Sequence, residues 1–243
     1  PAIERIHLAE TNVHGGTSEV TTSSVKLWSM LHRQSLDHAP ATAGRPLLTD
    51  VSLKADIGRP VLVAGASGSG KTSLLEVIAG LSGQLRGSIR WKGRELSKRQ
   101  RRWLSGMVFQ FPERHFLGLT IAQELRLGHR RLDSDQLQTA LDTVGLTALR
   151  MSDAPERLSG GQQRRLALAV QLLRGAELLL LDEPTAGLDW SVRADVLNLL
   201  SNLSKQRVLI VVTHEPQLFH DWACERYRLR NGCLEPVTTL PGA

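Results

Sequence analysis

The sequence predicts an α/β fold in which helices cover both faces of a mostly parallel β-sheet. Strand and helix patterns alternate along the chain, and no internal repeat of fixed period replaces them. The apolar runs LLLL (residues 178–181) and VLIVV (residues 208–212) have the length of buried parallel strands. Alternating strands and helices pack as layers around such a sheet, so this order predicts the architecture.

Each element is indicated by its local pattern. We expect strands at residues 61–65 (VLVAG), 87–93 (GSIRWKG), 106–110 (GMVFQ), 178–181 and 208–212, and helices at 72–80, 160–175 and 191–203. The segment 227–236 contains an Asn-Gly pair, which is typical of a hairpin turn. The polar residues 1–24 are expected to be a loose extension. Residues 25–243 then form one domain, with a helical insertion at about 111–160.

Composition excludes several classes of protein. The chain has 243 residues, of which 41% are hydrophobic and 22% charged, as in ordinary folded proteins. Its apolar runs are shorter than the ~20 residues of a membrane helix, so we expect a partner to do any spanning. The two cysteines, Cys224 and Cys233, lack metal-ligand spacing. They indicate ordinary thiols in a reducing compartment.

The formal net charge is +6, and basic residues cluster at residues 93–103 (GRELSKRQRRW) and 129–131 (HRR). A charge run of this kind is most often a solvated surface. The open alternative is attraction to an anionic membrane surface or to an acidic subunit. Nucleic acid is not expected, because no recognition helix, zinc finger or aromatic platform accompanies the charge.

Residues 65–72 (GASGSGKT) fit the pattern G-x-x-x-x-G-K-[ST] between a predicted strand and helix. Glycine lets the backbone wrap phosphate oxygens, and the N–H groups supply a positive field. Lys71 should contact the β- and γ-phosphates, and Thr72 should give its hydroxyl to Mg²⁺. The expected triphosphate-binding residues are Gly65, Ala66, Ser67, Gly68, Ser69, Gly70, Lys71, Thr72 and Ser73.

Polar residues follow three of the predicted strands. LLLLDEP (residues 178–184) places Asp182 to reach Mg²⁺ and Glu183 to orient or deprotonate a water molecule. His214 ends the strand VLIVVTH, and we expect it to contact the γ-phosphate. Gln110 ends GMVFQ in the same manner and is expected to serve both catalysis and Mg²⁺. In parallel sheets these strand ends lie at one ligand-binding edge.

A second candidate anion site begins at LSGGQ (residues 158–162), where two glycines open an amphipathic helix. The order GASGSGKT, Gln110, LSGGQ, LLLLDEP, AGLD and His214 resembles the ATP-binding cassette (ABC) ATPases over about residues 25–235. This resemblance implies a RecA-like P-loop NTPase fold with an antiparallel β subdomain. It also implies an enzyme that hydrolyses ATP with Mg²⁺.

In such ABC ATPases two units face head to tail. The resemblance therefore implies that a second ABC ATPase subunit, identical or related, pairs with this chain. Ser159, Gly160, Gly161 and Gln162 would then bind the ATP held by the partner. Asp189, in the segment AGLD, would touch the opposite subunit.

The segment VFQFPERHF (residues 108–116) is similar to the energy-coupling-factor and cobalt-type importer ATPases, and similar motifs occur in small cyanobacterial and plastid ABC proteins. His115 stands where those importers often have a second glutamine. This branch implies import of a metal ion or vitamin through a transmembrane permease or coupling subunit, with this chain cytoplasmic and peripheral to the membrane. A soluble ABC ATPase, such as an iron–sulfur cluster assembly ATPase, is the alternative.

One feature departs from the family pattern. An aromatic residue upstream of the P-loop usually stacks on adenine, yet VKLWSMLHRQ (residues 25–34) has no tyrosine. His32 or Gln34 stands near the expected position, and Trp28 is out of phase with it. His32 is therefore a candidate for the adenine contact.

Overall fold

The chain builds two β-sheets, one mostly parallel and one antiparallel. The computed structural model describes residues 3–11, 47–84, 86–129, 131–222 and 224–237. The strands are β1 (Ile3–Thr11), β2 (Leu48–Ala55), β3 (Val61–Ala64), β4 (Arg86–Trp91), β5 (Arg94–Glu95), β6 (Ser105–Val108), β7 (Leu178–Asp182), β8 (Val208–Thr213), β9 (Glu225–Arg230) and β10 (Cys233–Pro236). The helices are α1 (Lys71–Ala79), α2 (Lys98–Leu104), α3 (Ile121–Arg126), α4 (Ser134–Thr143), α5 (Gly160–Leu173) and α6 (Trp190–Ser204).

The larger sheet has six strands in the order β10-β9-β3-β8-β7-β6. Its five strands from β9 to β6 are parallel, and β10 pairs antiparallel to β9. Asn231 (φ 51°) and Gly232 (φ 78°) make the tight turn between β9 and β10, as an Asn-Gly hairpin requires. The predicted α/β fold with a mostly parallel sheet is therefore confirmed.

Successive residues of the parallel strands point to opposite faces of this sheet. Leu180 and Ile210 pack on one face, in the core that also contains residues of α1. Leu179 and Leu209 pack on the other face, in the core that contains residues of α4, α5 and α6. Both faces are covered, which explains why these strands read as continuous apolar runs rather than as alternating patterns.

The smaller sheet is antiparallel, in the order β2-β1-β4-β5, and supplies the antiparallel subdomain that the family resemblance implied. Its strand β1 corrects the prediction of a loose extension for residues 3–11, the part of residues 1–24 that the structure describes. The backbone of Ile3–Thr11 pairs with β2 on one side and with β4 on the other. Without β1 these two strands would leave backbone groups unpaired, so pairing overrides the weak local pattern.

The helical insertion consists of α3, α4 and short 3₁₀ turns, and it lies against α5. Ser159 caps the start of α5, and its side chain accepts a hydrogen bond from the backbone of Gln162, whose side chain bonds back. The same reciprocal capping starts α4 at Asp133. None of the described helices combines the length and apolarity needed to cross a bilayer.

Candidate functional site

The loop at residues 65–70 joins β3 to α1 at the carboxyl edge of the parallel sheet. Gly68 (φ +76°) and Gly70 (φ +98°) adopt the left-handed backbone that glycine favours. A Cβ on Gly65 would lie 2.6 Å from Ser69 Oγ and 2.9 Å from the carbonyl oxygen of Leu229. A side chain at position 65 would therefore clash with the loop and with β9, so the start of the loop requires glycine.

Lys71, the first residue of α1, turns its side chain back into this loop and is only 7% exposed. Its Nζ donates hydrogen bonds to the carbonyl oxygens of Gly65 (2.8 Å) and Ala66 (3.0 Å). The same ammonium lies 3.5 Å from Glu183 Oε1. A positive charge is therefore held within the loop and next to a carboxylate.

Thr72 and Asp182 form the next contact toward the sheet. Thr72 Oγ1 donates a 2.7 Å hydrogen bond to Asp182 Oδ2. Burial raises the pKa of the Asp182 carboxyl to about 6, although the Thr72 hydroxyl acts in the opposite direction. A hydroxyl beside a buried carboxylate forms a set of hard oxygen donors, which suits Mg²⁺. The pair would hold the metal with help from the nucleotide's own oxygens.

Glu183 follows the end of β7 and is 5% exposed. Its φ of 47° is unusual for a residue with a side chain, and such strain is found mainly where function requires it. Glu183 Oε2 accepts a hydrogen bond from the backbone N of His214 (3.1 Å) and lies 2.9 Å from His214 Nδ1. If Nδ1 carries the proton, Nε2 of this half-exposed imidazole remains free for a ligand.

Strand register explains why these residues meet. Ala64 pairs with Thr213, and Asp182 pairs with Val212, so the residues that follow emerge together. Val108 pairs with Leu181, so the half-buried Gln110, two residues after the end of β6, emerges at the same edge. The structure thus gathers the predicted P-loop, carboxylates, glutamine and histidine at one sheet edge.

The segment Ser159–Gln162 forms the start of α5 rather than part of this sheet edge. Among the described residues, no hydrogen bond or ion pair joins it to the loop at residues 65–72. Ser159 and Gly160 are exposed at the start of α5. A Cβ on Gly161 would lie 2.2 Å from Val192 Cγ1 of α6, so the starts of α5 and α6 are pressed together. Asp189, which directly precedes α6, is exposed next to them.

Two arginines that the sequence analysis did not single out hold the loop between Glu183 and Asp189. Arg164 of α5 is buried, and its Nη2 donates to the carbonyl oxygens of Gln110 (3.3 Å) and Ala186. Burial lowers the pKa of its guanidinium. Its position on the buried side of an amphipathic helix was the one signal available from the sequence.

The second arginine is Arg193 of α6. Its Nη2 donates to the carbonyl oxygen of Leu188 (3.3 Å), and its Nη1 lies 3.5 Å from Glu215, which follows His214. The Asp189 loop is therefore fixed from two sides. It is connected to Gln110 through Arg164, and to the chain beyond His214 through Arg193.

A groove lies between β6, the helical insertion and α5. Its base contains Glu124, which is 5% exposed and accepts hydrogen bonds from the backbone N of Leu117 (2.7 Å) and Gly118 (2.8 Å). Burial raises the pKa of this carboxyl. The other lining residues are mainly apolar and aromatic: Met107, Val108, Phe109, Pro112, His115, Phe116, Ala167, Val170 and Gln171. Such a lining suits an apolar segment of another chain.

Two predictions are not tested by this geometry. His32, Gln34 and Trp28, considered for the adenine contact, lie outside the described residues. Within the described part of the chain, no three His, Cys, Asp or Glu side chains form a metal-binding group. The predicted Mg²⁺ donors, Thr72, Gln110 and Asp182, include only one carboxylate and so depend on the triphosphate to complete the site.

Comparison with known proteins adds the following. A family model described as "ABC transporter" matches residues 48–186. The chain is 39% identical over 190 residues to ABC transporter I family member 11, chloroplastic, of Arabidopsis thaliana, which aligns 70% of this chain with 67% of that protein. It is 36% identical over 176 residues to the energy-coupling factor transporter ATP-binding protein EcfA2 of Symbiobacterium thermophilum, covering 68% of this chain and 61% of that protein.

Among solved structures, cbiO1 from Clostridium perfringens, described as part of the ABC transporter complex cbiONQ, superimposes with a TM-score of 0.74. The match covers 96% of this chain and 87% of that chain at 21% identity. At this level of identity the likeness concerns the fold, and the architecture of two sheets with a helical insertion agrees with it.

Proposed function

This chain belongs to the ABC transporter family, and from that premise we propose that it is an ATP-hydrolysing subunit that dimerises around two ATP molecules and drives a transmembrane partner. The contact set Lys71–Glu183–His214 carries this proposal. In this set a buried carboxylate contacts both an ammonium and an imidazole, which supports roles for them in water activation, phosphate binding and contact with the γ-phosphate. A protein that only bound nucleotide would not need the buried carboxylate.

The P-loop N–H groups and Lys71 bind the β- and γ-phosphates. Lys71 now bonds to Gly65 and Ala66 and faces Glu183, so phosphate oxygens would compete for its donors. When ATP draws the ammonium away, Glu183 Oε1 is left free to contact a water molecule. Binding of substrate therefore prepares the carboxylate for its role.

Glu183 orients a water molecule for in-line attack on the γ-phosphorus and takes a proton from it. The new oxygen–phosphorus bond forms as the bond between γ-phosphorus and the β–γ bridging oxygen breaks, with ADP leaving with the electron pair. His214 is held by Glu183 Oε2 and turns its other ring nitrogen toward the γ-phosphate. Mg²⁺, held by Thr72, Asp182 and Gln110, would offset the charge that develops on the phosphates.

The proposed pairing of two subunits is supported by the exposed start of α5. Ser159 and Gly160 are exposed there, yet among the described residues no hydrogen bond or ion pair joins them to the P-loop of the same chain. Asp189 and Trp190, which is 79% exposed, lie beside them at the start of α6. A second copy, or a related cassette, placed head to tail would bring its γ-phosphate to this surface and complete two sites.

The groove at β6 and α5 is where we propose that the transmembrane subunit docks. Its apolar and aromatic lining suits a short amphipathic helix, and it begins just before Gln110, which borders the nucleotide edge. Movement of the helical insertion on dimer closure would then reach the partner. With the similarity of VFQFPERHF to importer ATPases, this supports uptake of a metal ion or vitamin, with this chain on the cytoplasmic face.

The test is Glu183→Gln. The amide cannot accept the proton, so we expect ATP binding to persist, turnover to fall by at least about a hundredfold, and a dimer to accumulate on size-exclusion chromatography. Glu177→Gln, which removes an exposed carboxylate that pairs with Lys92, is the matched control and should behave as the unaltered protein. Unchanged turnover in Glu183→Gln would remove this residue from its role.

The transport assignment needs a separate measurement. Purification from native membranes in mild detergent should recover a polytopic membrane protein together with this chain. Recovery of soluble cluster-assembly proteins instead would favour the non-transport ATPase.

A further inference from the structure

The net positive charge of the chain is concentrated in one segment. Residues 86–103 contain eight basic residues and a single acidic one, Glu95, whereas the whole chain carries a formal charge of +6. The segment comprises β4, β5 and α2, which follow one another without interruption. Lys92 pairs with Glu177 outside the segment, but a basic excess of this size still produces a positive local potential.

The helix α2 shows how these charges are displayed. Arg101 is 3% exposed and donates to the carbonyl oxygen of Val77, so it belongs to the interior. Lys98, Arg99 and Arg102 are exposed, and no ion pair within the described residues neutralises them. Trp103, on the same side as Arg99 by helical spacing, is 68% exposed. We call four exposed residues of this helix, Lys98, Arg99, Arg102 and Trp103, the basic face.

An exposed tryptophan among arginines is unusual on a solvated surface, because Trp normally buries most of its large apolar ring. The same combination is favourable where water meets lipid. There the indole lies at headgroup depth, and basic side chains attract phosphates. Binding of an acidic protein partner would require only the basic charges and would not explain the exposed indole. Binding of nucleic acid by base stacking would require several aromatic residues.

The basic face also borders the groove described above. The chain passes from α2 directly into β6, whose residues Met107 and Val108 line that groove. The carbonyl oxygen of Arg102 accepts a hydrogen bond from Arg174 (3.4 Å), three residues beyond the groove residue Gln171. If a membrane-spanning partner occupies the groove, the basic face lies toward the bilayer beside it. This placement, and only this step, rests on the proposed function.

We propose that the basic face binds the anionic headgroups of the membrane surface, with Trp103 at the interface. Each contact is individually weak, because the charges stay hydrated and are screened within about a nanometre at physiological salt. Such a surface does not anchor the subunit alone. It orients the subunit under its membrane partner and raises the local concentration of the two components.

Vesicle co-sedimentation of the purified chain, with no partner present, tests the proposal. We expect binding to phosphatidylcholine vesicles that contain phosphatidylglycerol to exceed binding to pure phosphatidylcholine by roughly tenfold or more, and to weaken with salt. Lys98→Glu with Arg99→Glu should abolish that preference. The control, Arg150→Glu with Lys205→Glu, makes the same change in net charge at exposed positions elsewhere and should retain it.

A second readout locates Trp103. Brominated acyl chains in the anionic vesicles should quench the fluorescence of the unaltered protein, and Trp103→Phe should lose most of that quenching. Trp190→Phe, at the second strongly exposed tryptophan among the described residues, should keep it. The proposal would be overturned by an equal loss of quenching in both tryptophan variants or by equal binding to the two kinds of vesicle. It would also be overturned if the chain bound an oligonucleotide in preference to the anionic vesicles. None of these results depends on ATP hydrolysis, so they are separable from the outcome for Glu183→Gln.

Discussion

The hydroxyl of Thr72 and the carboxyl of Asp182 are joined by a 2.7 Å hydrogen bond across 110 residues of sequence. The contact ties the first turn of α1 to the end of β7. It also leaves a nearly buried acid whose pKa is raised to about 6, mainly because burial disfavours its charged form. The candidate metal site is therefore a source of instability while no cation neutralises it.

This instability predicts a pH dependence. Since the folded-state pKa of Asp182 is raised from 3.8 to about 6, the folded protein holds the proton more tightly than the unfolded chain. The resulting stabilisation is complete below the unfolded pKa and is lost as pH rises through about 6, a change of about 3 kcal/mol. Asp182→Asn removes the titration, so nucleotide-free, Mg²⁺-free Asp182→Asn should become the more stable protein above that range.

Urea unfolding at several pH values between 4 and 8 measures this effect. The difference in unfolding free energy between Asp182→Asn and the unaltered protein should grow across the range and then level off. Asp195→Asn, at an exposed position, should show no such trend. A difference that is independent of pH would contradict the raised pKa.

Lys71→Ala should reduce nucleotide affinity strongly. The variant loses one to three charge-assisted phosphate contacts worth ~1.5–3 kcal/mol each, which corresponds to at least about a tenfold rise in Kd. It also leaves the buried carboxylate of Glu183 without its cation at 3.5 Å. Titration calorimetry with ATP measures the change. Lys205→Ala, at an exposed lysine directly after the end of α6, is the control. Equal ATP affinities in the two variants would exclude Lys71 from the site.

Gly160→Asp should separate ATP binding from dimerisation. A Cβ at Gly160 meets nothing closer than 3.8 Å, so the variant should fold, whereas Gly161 has no such space beside Val192. The new carboxylate would repel the γ-phosphate held by the partner. In the Glu183→Gln background we expect normal nucleotide affinity without dimer formation, measured by light scattering.

The matched control is Gly160→Asn in the same background, which has the same shape without the charge. It should dimerise better than Gly160→Asp. Normal ATP-dependent dimerisation of the aspartate variant would count against a nucleotide shared between two subunits.

Arg164→Met should impair turnover more than nucleotide binding. The change leaves the carbonyl oxygens of Gln110 and Ala186 without their buried donor, at about 1–3 kcal/mol for each group. The P-loop is not touched, so we expect Kd for ATP to stay within about threefold while turnover falls by about tenfold or more. Arg164→Lys, which keeps the charge but can reach fewer acceptors, should recover part of the rate.

Arg165→Met provides the comparison, because the neighbouring arginine donates only to the exposed Gly145 carbonyl among the contacts described. Its turnover should be close to that of the unaltered protein. If the two variants lose activity equally, Arg164 acts through general helix stability rather than through the two loops.

The sequence predicted the residues at the sheet edge because strand geometry determines where they emerge. Apolar runs that end in Asp182 or in His214 must bring those residues to the carboxyl edge once the strands are parallel. The nucleotide loop was predictable for the same reason, since its glycines and Lys71 follow a strand and open a helix. In each case the local pattern and the topology require the same placement.

The remaining features depend on contacts between segments that are distant in sequence. Strand β1 carries a weak local pattern, and only β2 and β4 on either side give it a place in the sheet. Arg164 looks like any polar residue of an amphipathic helix until Gln110 and Ala186 are brought to it. Side chains that satisfy backbone groups of other loops cannot be recognised from spacing alone.

The tight approach of Gly161 to Val192 has a mechanical consequence. A shift of the exposed start of α5 would carry the start of α6 with it, and so would move the loop held by Arg164 and Arg193. That loop runs from Glu183, the proposed general base, to Asp189. In the proposed dimer, binding of the partner's ATP at the start of α5 would therefore also move Glu183. The two nucleotide sites would then act together rather than independently.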